Sequence, residues 1–303
     1  MKPRLLRLAI LVGARVREWR VIRRTPLGHA MRWIGRRLQP WMARTAFVDA
    51  IHQVNSVQMK IPRPPDRAAG SSEFHMALGT YEERELDYVL TRLRPGDTFL
   101  DVGAHVGYFT LPAAKAVGPT GRVIAIEPSP ASVRVLRENA ELNGLSWITV
   151  FEAAASDHDG AELLFRSPKS PMWNRLVRFT VKDGMDTISV LARTIDSILA
   201  ECGWPPIVGM KVDVEGAELD VLRGSTACLS RNPHAFVIVE VEGRTRLDRS
   251  LAVLHFLEDQ GYSFRLFKRG AVPTAETIIS IASALDGDYL FNVVAEKLAG
   301  GSR

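Results

Sequence analysis

Two stretches of this 303-residue chain hold the residues best suited to chemistry. In "FLDVGAHVGYFT", residues 99–110, Gly103 and Gly107 stand four apart, just after a short apolar run with Asp101 at its end. Glycines placed there let the backbone close on a nucleotide. In "KVDVEGAE", residues 211–218, Lys211, Asp213 and Glu215 alternate along one short segment. Two carboxylates at that spacing suit a base and its orienter, or two ligands of a divalent cation completed by a third carboxylate such as Glu240. Glu215 also reads as a helix-start carboxylate favoured by the helix dipole, with Lys211 as its counter-ion.

The glycine turn excludes two nucleotide classes. A phosphate-binding P-loop needs lysine and Ser/Thr after its second glycine, and here Tyr108 and Phe109 follow Gly107. A dinucleotide fingerprint needs three glycines, and an anion at Asp101 would repel pyrophosphate. Asp101 instead suits a cationic ligand such as S-adenosylmethionine, whose ammonium it would receive. Glu127 closes the next apolar run, about where a carboxylate takes both ribose hydroxyls. Asp157, in "ASD", follows a third apolar run and would read the adenine amino group, or serve as a plain turn residue.

These residues need elements to position them. "TFLDV", "GRVIAIEP", "WITVFEAAA", "IVGMKVDV", "HAFVIVEVE", "YSFRLF" and "DYLFNVVAEK" read as strands. Between most of them lie helical patterns such as "ASVRVLRENAELNG" and "RSLAVLHFLEDQG". Strands alternating with helices predict a mostly parallel sheet covered on both faces, with ligands at the carboxyl ends of the strands. Residues 156–206 are less regular, with β-like pieces ("AELLFR", "TISVLA") and a short helix ("TIDSILAECG").

The run from "GTYEERELDYVLTRLRPGDTFLDVGAHVGYFT" through "NAELNGL", with "TIDSIL" and "VGMKVDVEGAELDVLRG", resembles the FkbM family of S-adenosylmethionine-dependent methyltransferases. The resemblance covers roughly residues 79–242. It implies an α/β, Rossmann-like class I methyltransferase fold with a mostly parallel seven-stranded sheet. It also implies cofactor contacts from Asp101, Gly103, Ala104, His105, Gly107, Phe109, Glu127, Asp157 and Glu82, the last from a segment folding over the cofactor. Asp213, Glu215 and Lys211 become the catalytic candidates, with Glu240 facing the acceptor. No resident metal is assigned; Asp213, Glu215 and Glu240 are the set that would hold a divalent cation if one is used. The family turn usually carries asparagine where this chain has His105, so His105 either lines the pocket or contributes only its backbone N–H.

Charge separates the remainder. The chain carries +5 overall, yet residues 1–60 hold thirteen Lys/Arg against Glu18 and Asp49. We therefore expect a basic, helical arm or cap over 1–65 and a methyltransferase domain over 66–303. Trp19, Trp33 and Trp41 among the arginines suit an anionic membrane surface, although a cap packed on the domain fits as well. Nucleic acid is disfavoured because no binding motif accompanies the charge. The uncharged run at 8–14 is far shorter than the roughly 20 residues of a membrane span, and a cytoplasmic protein, at most peripheral at the membrane, is expected. Cys202 and Cys228 fit no metal spacing and read as reduced thiols. His75, His234 and His255 have no partners at readable spacing. "FRSPKSPMWNRLVRF" interleaves Arg166, Lys169, Arg175 and Arg178 with Trp173 and Phe179, as a sugar or anion grip, a lid or a solvated loop.

The expected reaction is methyl transfer to a hydroxyl of a small metabolite or of a glycan or glycolipid sugar. The rivals are transfer to nitrogen on the same scaffold and a non-catalytic adenosyl-binding protein at a membrane.

Overall fold

The computed structural model describes residues 51–62, 72–79, 81–166, 174–176, 187–243, 246–267, 274–285 and 290–297. It divides into two compact units, Met1–Tyr81 and Glu82–Arg303.

In the first unit β1 (Ile51–Val54) and β2 (Val57–Lys60) form an antiparallel hairpin, followed by α1 (Ser72–Leu78). Asn55 and Ser56 both have positive φ, +43° and +68°. This is the geometry of the two-residue turns whose twist matches paired strands. Val54, Val57 and Met59 are buried between polar neighbours. This corrects the helical arm over residues 51–60: the period-two alternation outweighs the basic composition from which a helix was read. Residues 1–50, with Trp19, Trp33 and Trp41, lie outside the described residues.

The second unit runs α2 (Glu83–Arg92), β3 (Thr98–Val102), α3 (Thr110–Val117), β4 (Arg122–Ile126), α4 (Pro130–Leu142) and β5 (Ile148–Phe151). It continues with β6 (Ala154–Ala155), β7 (Gly160–Arg166), β8 (Asn174–Leu176), β9 (Thr187–Arg193) and α5 (Ile195–Glu201). Then come β10 (Gly209–Val212), α6 (Glu218–Arg223), α7 (Thr226–Arg231), β11 (Phe236–Glu242) and α8 (Leu247–Asp259). The described chain closes with β12 (Ser263–Leu266), β13 (Thr274–Glu276), α9 (Ile278–Ala284) and β14 (Leu290–Glu296).

The main sheet has the order β13-β12-β14-β11-β10-β3-β4-β5. Its β5, β4, β3, β10 and β11 pair in parallel, and β14 lies antiparallel between β11 and β12. Seven of these strands are the expected class I methyltransferase sheet, and the three-residue β13 adds an eighth at the edge. Leu100, Val102, Ile124 and Ile126 face a core shared with α5 to α9, whereas Ala125 packs with Leu136 of α4 on the other face. Coverage of both faces explains why β3 is buried at every position and reads as continuous rather than alternating.

After β3 the chain builds outward through β4 and β5, then returns to lay β10 on the other side of β3. Strand order therefore reverses between β3 and β10, and crevices of such sheets open at that point. Asp101 and Lys211 are register partners across it.

One predicted strand is divided. "WITVFEAAA" leaves the main sheet after Phe151, and β6 instead joins a four-stranded sheet of order β6-β9-β7-β8. β6 pairs there with β9, and the C-terminus of α6 packs closely beside it: a Cβ on Gly224 would lie 2.0 Å from the Ser156 carbonyl oxygen. Cys202 and Cys228 are free thiols. Among the described residues no helix is long and apolar enough to cross a membrane.

Candidate active site

The turn after β3 is locked by backbone contacts. The N–H groups of Gly103 and Ala104 both donate to the Ile126 carbonyl, at 2.9 and 3.1 Å. Gly103 has φ +86°, and a Cβ there would lie 1.8 Å from the Asp213 carbonyl oxygen. Gly107 has φ +94°, and its Cβ would fall 2.4 Å from Leu136 Cδ1. The two glycines thus serve close packing as well as ligand access. One holds the turn against the end of β10, and the other seats it on α4.

Asp101 is buried, and Thr110 Oγ1 donates to its Oδ2 at 2.5 Å. Burial raises the Asp101 pKa, opposed by the Lys211 charge and the Thr110 hydrogen bond. His105 lies at φ +51°, and its backbone N–H donates to Glu127 Oε2 at 2.9 Å. The backbone of His105 therefore positions Glu127. Ser129 N–H donates to the other oxygen, Oε1, at 2.9 Å, and the Ser129 side chain caps α4. Burial pushes Glu127 up to about 7 against these two donors. Asp101 and Glu127 are thus buried acceptors at adjacent strand ends beside a glycine cradle, a donor set that fits a ligand carrying an ammonium group and vicinal hydroxyls. Asp157 is placed differently. It follows β6 on the small sheet, exposed, with Oδ1 2.9 Å from His158 Nδ1.

The "KVDVEGAE" segment centres on a buried ammonium. Lys211 Nζ lies 2.5 Å from Asp213 Oδ2, 3.4 Å from Glu82 Oε2 and 4.6 Å from the centroid of the Phe109 ring. Burial alone would lower the lysine pKa. Asp213, Glu82 and Asp101 together outweigh that and raise it, so the ammonium stays charged. Glu82 precedes α2 in a left-handed conformation, φ +39°. Burial pushes its carboxyl up to about 7, with Lys211 opposing and Asp213 assisting. Among the described residues, carboxylate oxygens of Glu82, Asp213 and Glu240 lie within 4.8 Å of one another. Glu82 thus stands with the catalytic candidates. The close carboxylate group contains Glu82 where the sequence suggested Glu215. Glu240 is also raised well above its ordinary value, by burial and then by Asp213 and Glu215.

Glu215 sits at φ +57° with its surface exposed, although protein surrounds much of it. Desolvation and then the Asp213 charge push it up to about 7, with Arg246 opposing.

Three contributors had no role assigned from sequence. Thr110 fixes Asp101. Glu218, the last residue of "KVDVEGAE", accepts the N–H groups of Gly216 at 2.9 Å and Val214 at 3.3 Å, and so clasps the loop carrying Glu215. Asn292 of β14 lies directly opposite Glu240 and donates to Glu82. Its signal was an asparagine inside the apolar run "LFNVVA". Of the interleaved basic segment, residues 167–173 and 177–186 lie outside the described residues.

A family model described as the methyltransferase FkbM domain matches residues 101–264. A second, described as protein-L-isoaspartate(D-aspartate) O-methyltransferase, matches residues 20–161. Methyltransferase 1 of Beauveria bassiana is 29% identical over 148 residues, covering 43% of this chain and 59% of that protein. The 31-O-demethyl-FK506 methyltransferase FkbM of Streptomyces tacrolimicus is 30% identical over 159 residues, covering 44% and 60%. The chain therefore spans about three-fifths of the length of these curated relatives. The solved structure of an S-adenosylmethionine-dependent O-methyltransferase from Thermotoga maritima superposes with a TM-score of 0.41 at 13% identity, covering 73% of this chain and 67% of that one.

Proposed function

The chain belongs to the FkbM methyltransferase family, and we propose that it transfers the methyl group of S-adenosylmethionine to a hydroxyl of a small metabolite or of a glycan or glycolipid sugar. The observation that carries this reading is the Lys211 ammonium held by Asp213 and Glu82 at the sheet's switch point, directly opposite Asp101 in the β10–β3 register.

When bound, the donor supplies an electrophilic methyl group on sulfonium, so the hard chemistry is the cofactor's. The residues of this chain bind, orient and move a proton. Asp101 takes the donor's ammonium, and Glu127 takes the ribose hydroxyls with the lone pairs left after its two backbone bonds. The turn at 103–107, including Ala104 and His105, closes over the donor, and Phe109 walls the crevice beside Lys211. Asp157 is kept as an adenine contact in this reading. That role requires the β5–β6 break to bring it to the crevice mouth.

A hydroxyl acceptor must lose a proton. A carboxylate beside the acceptor can take that proton, and Asp213 is the candidate base. Lys211 pairs with Asp213 and holds its carboxylate in place beside the acceptor, with Glu215 and Glu240 lining the same side. The name of the Streptomyces relative also specifies an O-demethyl acceptor.

Calorimetry with S-adenosylhomocysteine and with NAD tests the donor: the first binds, the second does not, and Asp101→Ala weakens the first at least tenfold. Labelled-methyl transfer into fractionated cell extract then tests the acceptor. Label recovered in an alkali-stable ether supports oxygen transfer, and label recovered in a methylamine refutes it. Full activity of Asp213→Asn refutes the role of Asp213.

A further inference from the structure

Asn292 has an unexplained atom. Its side chain is 6% exposed, and its Oδ1 is buried with no hydrogen-bond partner. The amide nitrogen is engaged, because the side chain donates to the carboxyls of Glu82 and Glu85. With the nitrogen so engaged, the carbonyl oxygen is the atom left without a partner. Asn292 lies directly opposite Glu240 in the β11–β14 ladder, so both project from the same face. Glu82 Oε2 is also buried, and its close partner is the Lys211 ammonium, an ion pair at 3.4 Å. Buried acceptors without donors are rare and call for a ligand.

We propose that Glu82, Asp213, Glu240 and the Asn292 carbonyl hold a hard divalent cation beside the acceptor. All four are oxygen donors, the ligand type such cations select. The three carboxylate oxygens lie within 4.8 Å of one another, about twice the roughly 2.3–2.6 Å calcium–oxygen distance, so the spacing suits a cation of calcium or manganese size. Charge points the same way. Lys211 offsets one of the three carboxylates, and a dication offsets the remaining two. Lys211 contacts Asp213 through Oδ2, which leaves Oδ1 for the cation. The four ligands come from the segment before α2, the end of β10, β11 and β14. Glu82 and Asn292 lie outside the matched span of 101–264. Binding of the cation does not depend on methyl transfer. Its use, polarising an acceptor hydroxyl, rests on the reaction proposed above.

The test is electron paramagnetic resonance and calorimetry with Mn²⁺ on the full chain, with Ca²⁺ as competitor. One Mn²⁺ per chain is expected, displaced by Ca²⁺. Glu240→Gln and Asn292→Leu should each weaken it at least tenfold. Asn292→Asp keeps an oxygen ligand and should retain or tighten binding, which separates ligation from a folding defect in Asn292→Leu. No bound Mn²⁺, or binding indifferent to Glu240→Gln and to both Asn292 variants, overturns the proposal. S-adenosylhomocysteine affinity, measured on the same samples, separates the two readings. A chain that binds it but no Mn²⁺ sinks only the cation site, and a chain that binds Mn²⁺ but not the cofactor product sinks only the methyl-transfer reading.

Discussion

Gly103→Ala tests the contact on which the whole crevice depends. The new Cβ would fall 1.8 Å from the Asp213 carbonyl oxygen, whereas real Cβ atoms stay beyond 3.0 Å, so turn and strand end must part by about 1.2 Å. Two costs add. Holding alanine at φ +86° costs about 1–2 kcal/mol, and forcing apart a packed contact costs about 1–3 kcal/mol more. Together they predict a loss of about 2–5 kcal/mol in urea unfolding. Gly144→Ala is the internal control, because Gly144 has φ +66° but nothing within 4 Å of its added Cβ. It should show only the backbone cost, about 1–2 kcal/mol. Function should fall further than stability. Displacing Asp213 and Lys211 by about 1 Å relative to the donor should lower turnover about 100-fold, since catalytic geometry tolerates little misplacement. The assays are urea unfolding, S-adenosylhomocysteine calorimetry and single-turnover methyl transfer. If the two alanine variants lose equal stability and Gly103→Ala retains cofactor affinity, the turn does not rest on the β10 end, and the account of the crevice is refuted.

Three further outcomes follow from the same geometry. Glu127 is raised from 4.5 to about 7 in the folded chain, so the native state holds its proton more tightly than the unfolded state. Its stabilising contribution is present below about pH 4.5 and is lost as pH rises through about 7. Glu127→Gln should therefore flatten the fall in Tm between pH 5 and 8 while weakening S-adenosylhomocysteine binding, and an unchanged slope contradicts the shift. Glu218→Ala strands the Val214 and Gly216 N–H groups and should cost about 2 kcal/mol in urea unfolding. The full chain should float with liposomes containing anionic lipid and not with neutral ones, an effect that salt abolishes; flotation equal on both lipids refutes the basic-arm reading.

Legibility of the fold followed the range of the interactions that set each element. The strands from "TFLDV" to "HAFVIVEVE" were readable because each is a continuous apolar run made necessary by helices on both faces. The hairpin at residues 51–60 was hidden by a basic composition that says nothing of period, although Val57 and Met59 alternate with polar neighbours. The break between β5 and β6 left no local mark. "WITVFEAAA" is equally apolar on either side of Phe151, and what draws β6 away is its pairing with β9, some thirty-eight residues on.

The site divides along the same line. Asp101, the glycines and Glu127 are legible because each lies at a fixed offset from a strand, so spacing alone identifies them. The carboxylate group is only half legible. Asp213 and Lys211 announce themselves within one motif, but the third and fourth partners are chosen by the sheet. Glu82 reaches Lys211 from 129 positions upstream, and Asn292 reaches Glu240 across the antiparallel β11–β14 register. Glu215 is nearer to Asp213 in sequence than either, yet its left-handed φ of +57° and the Glu218 clasp turn its loop out to an exposed position. Proximity along the chain points to Glu215, whereas the close carboxylate group draws its members from neighbouring strands and from the segment before α2. The same reasoning gives Asn292 its weight. A lone amide in a buried strand has to be satisfied across the sheet, and half of this one is not.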